Sequence, residues 1–282
     1  MVTAPDRREL VRFMIGKGLS ERRALILIQM SASSLRYQPA PDRNEALRAD
    51  IIALAHRHRR YGAEMIHLKL RQRGQLVNHK RVDRLYRLEE LQLRKRKRKK
   101  VPLGERQPLL RPTQANDTWS MDFVFDRSAD TRVIKCLTVI DDATNESVAI
   151  VPERAIGGKA LTRILDSICR ERGYPQIIRT DNGKELCGKD MLIWCHENGV
   201  KLRLIEPGKP NQNAYIESFN GRFRDECLNE NWFMNLAHAK VIIEAWRREY
   251  NEERPKKALG GLTPAAYAKQ LAMKAVNIHP GL

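Results

Sequence analysis

The chain of 282 residues is 42% hydrophobic and 30% charged, which excludes a disordered polymer and leaves room for one large domain or several small ones. No run of 18 or more apolar residues exists and the N-terminus MVTAPDRREL has no apolar stretch, so neither a membrane helix nor a signal peptide is expected. The formal charge of +18 is unevenly placed, since residues 1–115 hold 28 Lys and Arg against 11 Asp and Glu while residues 116–282 hold 24 against 23. Solubility alone does not produce that asymmetry; a polyanion, nucleic acid before anionic membrane, is the expected partner of the basic third. The scattered, unpaired Cys136, Cys169, Cys187, Cys195 and Cys227 read as reduced thiols of a cytoplasmic protein rather than as a metal site.

In chain order, residues 5–16 place Leu10, Val11, Met14 and Ile15 on one helical face, and Gly18 ends that helix. Ser20 is placed to cap a second helix that buries Ala24, Leu25 and Ile28, and Ser31 to cap a third. Short helices joined by tight turns make residues 1–40 a helix-turn-helix-like segment, a weak pattern by itself. A second helical module spans residues 44–100. Leu47, Ile51 and Leu54 share a face, Tyr61-Gly62 interrupts, and Met65, Ile66, Leu68 and Leu70 resume. Residues 79–91 form an amphipathic helix with Val82, Leu85 and Tyr86 inward and Lys80, Arg81, Arg84 and Arg87 outward. Those cations are candidates for DNA contact, with a plain solvated face as the alternative. Arg94, Lys95, Arg96, Lys97, Arg98, Lys99 and Lys100 make a run too charged to pack, suited to tracking phosphates without reading sequence. Residues 101–116 read as a linker.

From residue 117 strands and helices alternate. In WSMDFVF, Trp119, Met121, Phe123 and Phe125 face one side, and Ser120, Asp122 and Val124 the other. Residues 132–142 and 146–151 are two further strands, joined by turns at 129–131 and 143–145. A helix over 159–172 ends at Gly173 and Pro175; a strand over 176–180 leads into Asp181-Asn182-Gly183. A helix over 188–198, a strand over 200–206 and helices over 211–229 and 236–250 complete the order. Three antiparallel strands followed by alternating helix and strand is the order of a ribonuclease-H-like α/β fold, a mixed five-stranded sheet with helices, over residues 117–275 including a C-terminal helical tail.

Three acids stand out. Asp122 is a carboxylate in an otherwise apolar strand, costly to bury unless paired or metal-bound. Asp181 lies just past the C-terminal end of a strand, where α/β folds place ligands. Glu217 lies on a helix whose apolar stripe is Ile216, Phe219, Phe223 and Cys227; Asn213, Glu217, Asn220 and Arg224 form the polar stripe beside it. Glu217 can therefore reach from the edge of the buried face to the sheet, and Asn213, Asn220 and Arg224 become candidates for contact with DNA phosphates or with bases near a cut. Phosphodiester chemistry needs on the order of 20 kcal/mol of catalysis, which paired divalent ions held by a few carboxylates can supply. Ordinary surface or capping roles for all three acids are the competing reading.

The segments WSMDF (119–123), RTDNG (179–183), PGKPNQNAYIESFNGRFRDECLN (207–229) and YNEERPKKALGGLTPAAYA (250–268) closely resemble the integrase-core transposases of bacterial insertion sequences, specifically the second-reading-frame product (OrfB) of the IS-three family. The similarity includes the helix-turn-helix segments and covers about residues 8–270. The resemblance implies a retroviral-integrase-like ribonuclease H core and a catalytic, metal-binding triad of Asp122, Asp181 and Glu217 holding two Mg²⁺ or Mn²⁺ ions. It also implies nicking of element ends and attack of the freed 3′-OH on a second phosphodiester, without a covalent enzyme intermediate. Lys184, Leu186 and Lys256 stand where the family often has Pro, Phe and His. Double-stranded DNA, a homo-oligomer on DNA and the first-frame product of the same element are the implied partners. The alternatives are a non-catalytic DNA-binding modulator, or the catalytic half of a two-frame fusion that is inactive alone. An RNA-directed ribonuclease H shares the fold but gives the N-terminal helical modules no role.

Overall fold

The computed structural model describes residues 3–38, 42–94, 111–206 and 213–278. They divide into two compact units, Met1–Ala49 and Asp50–Leu282. The boundary falls inside the helix Glu45–Arg57, and most of the linker expected at 101–116 lies outside the described residues.

The first unit holds α1 (Ala4–Gly16), α2 (Glu21–Ile28) and α3 (Ala32–Arg36), closed over Val11, Ala24, Leu25 and Leu35. Thr3 and Asp6 cap α1 reciprocally, each side chain accepting from the other's backbone N–H at 3.4 and 2.9 Å. Ser31 caps α3 through the Ser34 N–H as expected. Ser20 occupies the cap position of α2, but its side chain makes no capping bond.

The helix α4 (Glu45–Arg57) carries the boundary, and α5 (Ala63–Gln72) and α6 (His79–Leu88) follow it. Ile51, Leu54, Ile66, Leu70, Val82, Leu85 and Tyr86 are buried. The Tyr86 hydroxyl donates to the Tyr61 carbonyl at 3.1 Å, tying α6 back to the turn after α4. Asn78 caps α6 through the Lys80 N–H, and Lys80, Arg81, Arg84 and Arg87 lie on the exposed face.

The sheet has five strands in the order β3-β2-β1-β4-β5: β1 (Thr118–Arg127), β2 (Val133–Asp141), β3 (Ser147–Glu153), β4 (Ile177–Thr180) and β5 (Lys201–Leu204). The first three form an antiparallel meander; β4 and β5 run parallel to β1. Its helices are α7 (Gly158–Arg172), α8 (Lys184–Cys187), α9 (Lys189–Glu197), α10 (Ala214–Glu226), α11 (Leu236–Glu252) and α12 (Pro264–Ile278). Gly173 takes φ +88° to leave α7, a conformation a side chain would oppose.

Two apolar cores lie on opposite faces of this sheet, because both faces of its strands are buried. Trp119, Met121, Leu137 and Ile178 meet Leu161 and Leu165 of α7 and Met191 and Trp194 of α9 on one side. On the other, Val124, Ile134, Cys136 and Ile150 meet Ile216, Phe219 and Phe223 of α10 and Ile243 and Tyr250 of α11. Fully burying each of the larger of these side chains contributes roughly 1.5–3 kcal/mol. The expected β1 alternation holds, with Trp119, Met121 and Phe123 on the first core and Val124 in the second, while Phe125 is 52% exposed. Among the described residues no helix is long and apolar enough to cross a membrane, and all five cysteines are free thiols.

Candidate active site

Asp122 sits in the middle of β1, opposite Thr138 of β2, on the face covered by α10. Both of its carboxylate oxygens are held: Oδ1 accepts from the Phe123 N–H at 2.7 Å and Oδ2 from the Asn220 Nδ2 at 2.8 Å. The fully buried Thr138 hydroxyl lies 2.9 Å from Asn220 Oδ1 and 3.0 Å from the Asp122 carbonyl oxygen. A β2 hydroxyl and an α10 amide thus fix the rotamer of a β1 carboxylate.

Asp181 follows β4 directly. Its Oδ1 accepts from the Gly183 N–H at 2.9 Å, turning the chain back toward α8. A Cβ at Gly183 would stand 3.0 Å from that same oxygen, so the glycine lets the backbone close on the carboxylate. Beyond it, Glu185 pairs with Lys135 of β2 at 2.6 Å, and the Lys135 ammonium lies 4.0 Å from the centre of the Phe123 ring. This strap moors the segment after Asp181 to the strand beside Asp122.

Glu217 lies exposed in the first turn of α10, where the helix N-terminus favours a negative charge. The three acids share one electrostatic neighbourhood. Burial raises the Asp122 carboxyl above its usual range, and the charges of Asp181 and Glu217 push it further up; the hydrogen bonds from Phe123 and Asn220 work the other way. Among the described residues no Lys or Arg forms an ion pair with any of the three, although +18 is the charge of the whole chain. Their side chains do not close to ligand distance around a single point among the described residues. Their chemistry is nonetheless that of a hard-cation site: carboxylate oxygens with free lone pairs, Asp181 and Glu217 acting on Asp122 as like charges, and none of the three paired with Lys or Arg among the described residues. That donor set fits Mg²⁺ or Mn²⁺.

The candidate DNA-contact residues divide. Lys80, Arg81 and Arg84 are exposed on α6, and Arg94 is exposed after it; Lys95 to Lys100 lie outside the described residues. Arg224 is exposed, with Nη1 donating to the Phe125 carbonyl at 3.4 Å. Asn213 and Asn220 are not outward-facing. Asn213 is 4% exposed at the cap of α10, and Asn220 is 9% exposed with its amide committed to Asp122 and Thr138. Asn220 is turned into the protein because its amide is held between Asp122 of β1 and Thr138 of β2. Sequence reasoning did not single out Thr138; only the β1–β2 register brings it beside Asp122.

Three family models match the chain: an integrase core domain over residues 112–210, a second integrase core domain over residues 198–264, and an HTH-like domain over residues 42–100. A 39.2 kDa protein of insertion element IS476 from Xanthomonas euvesicatoria is 49% identical, covering 99% of this chain and 83% of the relative. A 31.7 kDa protein of insertion element IS407 from Burkholderia multivorans is also 49% identical, covering 89% of this chain and 91% of the relative. A solved structure of the HTLV-2 integrase catalytic core domain in complex with magnesium is similar over 55% of this chain and 97% of that one, with 16% identity and a TM-score of 0.44.

Proposed function

This chain belongs to the integrase-core transposases of bacterial insertion sequences, in the IS-three family as a second-reading-frame product, and we propose that it nicks element ends and joins the freed 3′-OH to a second phosphodiester. The observation that carries the reading is the environment of Asp122: a half-buried carboxylate locked in place by Asn220 and Phe123 and charged upon by Asp181 and Glu217. A purely structural aspartate gains nothing from two like charges in its field; a cation-binding one does.

In the nicking step the oxygen of a water attacks phosphorus, the bond from phosphorus to the 3′ oxygen breaks, and the strand ends as a 3′-OH and a 5′-phosphate. In the joining step that 3′-OH attacks a target phosphodiester, one P–O bond forming as another breaks, so no energy source is required. Asp122, Asp181 and Glu217 would hold Mg²⁺ or Mn²⁺; bound, the metal sharpens the attacking oxygen and stabilises the leaving one. The chain's own contribution is preorganisation. Thr138 and Asn220 hold Asp122 to one rotamer, Gly183 and the Lys135–Glu185 pair hold the Asp181 turn, and α10 presents Glu217 from a packed helix. Lys80, Arg81 and Arg84 of α6 and the basic run at residues 94–100 supply phosphate contacts, and a homo-oligomer brings two element ends together.

Incubating the protein with Mg²⁺ and a labelled element-end duplex tests this reading. A nick bearing a 3′-OH is expected, and Glu217→Gln should abolish it while leaving duplex binding intact. Binding by the wild-type chain with no nick under any divalent cation would favour the modulator reading, and cleavage of an RNA–DNA hybrid alone would sink the transposase.

A further inference from the structure

Outside the triad, one corner of the catalytic unit gathers three cations, Arg111, Arg222 and Lys256. Lys256 extends over the Tyr250 ring, its ammonium 4.8 Å from the ring centre and 3.3 Å from Asn145 Oδ1 in the turn between β2 and β3. Arg111 reaches the same turn, donating through Nε and Nη2 to the Ala143 carbonyl at 3.1 and 2.5 Å, and its guanidinium lies 4.9 Å from the centre of the Tyr267 ring. Arg222 projects exposed from α10 close enough for its charge, like that of Arg111, to bear on the Lys256 amine.

Four carboxylates packed around this corner already have cations. Glu226 takes Arg254 through two bonds of 2.8 and 2.6 Å. Asp142 takes Arg179 at 2.8 Å, and Asp141 and Glu146 share Arg172. Arg111, Arg222 and Lys256 form no ion pair among the described residues. Burial, together with the charges of Arg254, Arg111 and Arg222, pushes the Lys256 amine down to about 7; Glu226 pulls weakly the other way. A cluster of cations in a half-buried corner, poor in counter-charge, is a site that waits for an anion.

We propose that Arg111, Arg222 and Lys256 form a phosphodiester-binding site that grips the DNA backbone on the side of α10 away from Asp122. The proposal rests on the transposase reading and deepens it. DNA is the favoured occupant because the cations are strung from α10 across to the β2–β3 turn rather than closed into a cage, which suits a repeating backbone charge. The helix that contributes Arg222 also contributes Glu217, so a strand held here is registered to the helix that carries a triad residue.

The test is the salt dependence of binding to a short fluorescein-labelled duplex, measured by anisotropy for the wild type, Arg222→Gln, Lys256→Met, Lys256→Arg and Arg163→Gln. Arg163 is exposed on α7, across the sheet, and serves as a control for generic charge loss. Each of Arg222→Gln and Lys256→Met should weaken binding several-fold at low salt and reduce the slope of log Kd against log salt by about 0.9 for each phosphate no longer neutralised. Lys256→Arg should keep the wild-type slope, and Arg163→Gln should leave it unchanged. The groups facing Lys256 are Arg111, Arg222, Arg254, Glu226, Tyr250 and Asn145, and DNA binding should draw a proton onto its amine. Wild-type affinity should therefore tighten from pH 8 to pH 6 by more than that of Lys256→Met. Because Arg222 is exposed, its substitution tests the site even if Lys256→Met folds poorly. Unchanged slopes in both Arg222→Gln and Lys256→Met, or an equal loss in Arg163→Gln, would overturn the site while leaving the transposase reading intact. A wild-type chain that binds no duplex at any salt would instead remove that reading and this one together.

Discussion

The Asn220 amide has one orientation that satisfies both neighbours: its carbonyl must accept from Thr138, so its NH₂ must donate to Asp122. Asn220→Ala should therefore free the Asp122 carboxylate to rotate, cutting the rate of element-end nicking by about 10–100-fold, as loss of an outer-shell partner does elsewhere, with duplex affinity unchanged. Thr138→Val, which keeps the shape and removes the hydroxyl, should give a smaller loss in the same direction. Asn220→Asp should be the most damaging because it sets a second carboxylate against Asp122 Oδ2; if it nicks as fast as wild type, the amide does not orient the acid. Asn220 was legible in sequence only as a polar residue at i+3 from Glu217. Its direction depends on how closely α10 packs on β1, which periodicity does not encode. Lys256 makes a separate case. With its amine at about 7 in the folded chain and at the ordinary lysine value when unfolded, the unfolded state binds more protons between those limits. The cost of the buried charge is fully present below pH 7 and is relieved as pH rises above it. Stability of the DNA-free protein should thus climb from pH 7 toward pH 10, and urea melts of Lys256→Met should lack that climb.

At the scale of elements, the three candidate acids are carried by a strand interior, a strand end and a helix start. The strand interior and strand end could be read directly, since the alternation in WSMDFVF and the turn residues of Asp181-Asn182-Gly183 are local signals. The short α8 was not legible, because four residues carry no period and its place is set by the distant pair Lys135–Glu185. That pair holds the segment after Asp181 from β2, fifty residues away in sequence. Lys135→Met should keep the contact with the Phe123 ring while releasing Glu185, so Asp181 becomes loosely held. The half-saturating Mg²⁺ concentration for nicking should rise several-fold with little change in melting temperature. Gly183→Ala should act on the same turn by crowding Asp181 Oδ1 from 3.0 Å. A wild-type metal requirement in both variants would show that the loop is positioned from elsewhere.

Across the Asp50–Leu282 unit, ion pairs run between the HTH-like helices and the catalytic core, although their sequences look like separate domains. The turn and helices around α4 and α5 present Arg57, Arg60 and Lys69 to Glu230 and Glu253, so part of the basic excess of the N-terminal third is spent inside the protein. None of these pairings is visible in composition, which records only the sign of each segment. The exposed pairs contribute little, each about 0–1 kcal/mol. Arg254–Glu226 differs, because both side chains are under 10% exposed and the guanidinium lies between the rings of Tyr61, after α4, and Tyr250 of α11, 5.4 and 5.9 Å from their centres. One ion pair therefore joins the HTH-like helices, α11 and the C-terminal end of the helix bearing Glu217. Arg254→Met would leave Glu226 buried without a partner, a loss of about 3–5 kcal/mol, and Arg254→Lys should lose less by keeping the charge without the two-pronged bond. Hydrogen exchange distinguishes a shared keystone from a local defect. In Arg254→Lys the amides of α10 and of α4–α6 should lose protection together, while those of α7 and α9, across the sheet, keep theirs. If α4–α6 loosen and α10 does not, the ion pair fastens the helices to the core without transmitting anything to Glu217.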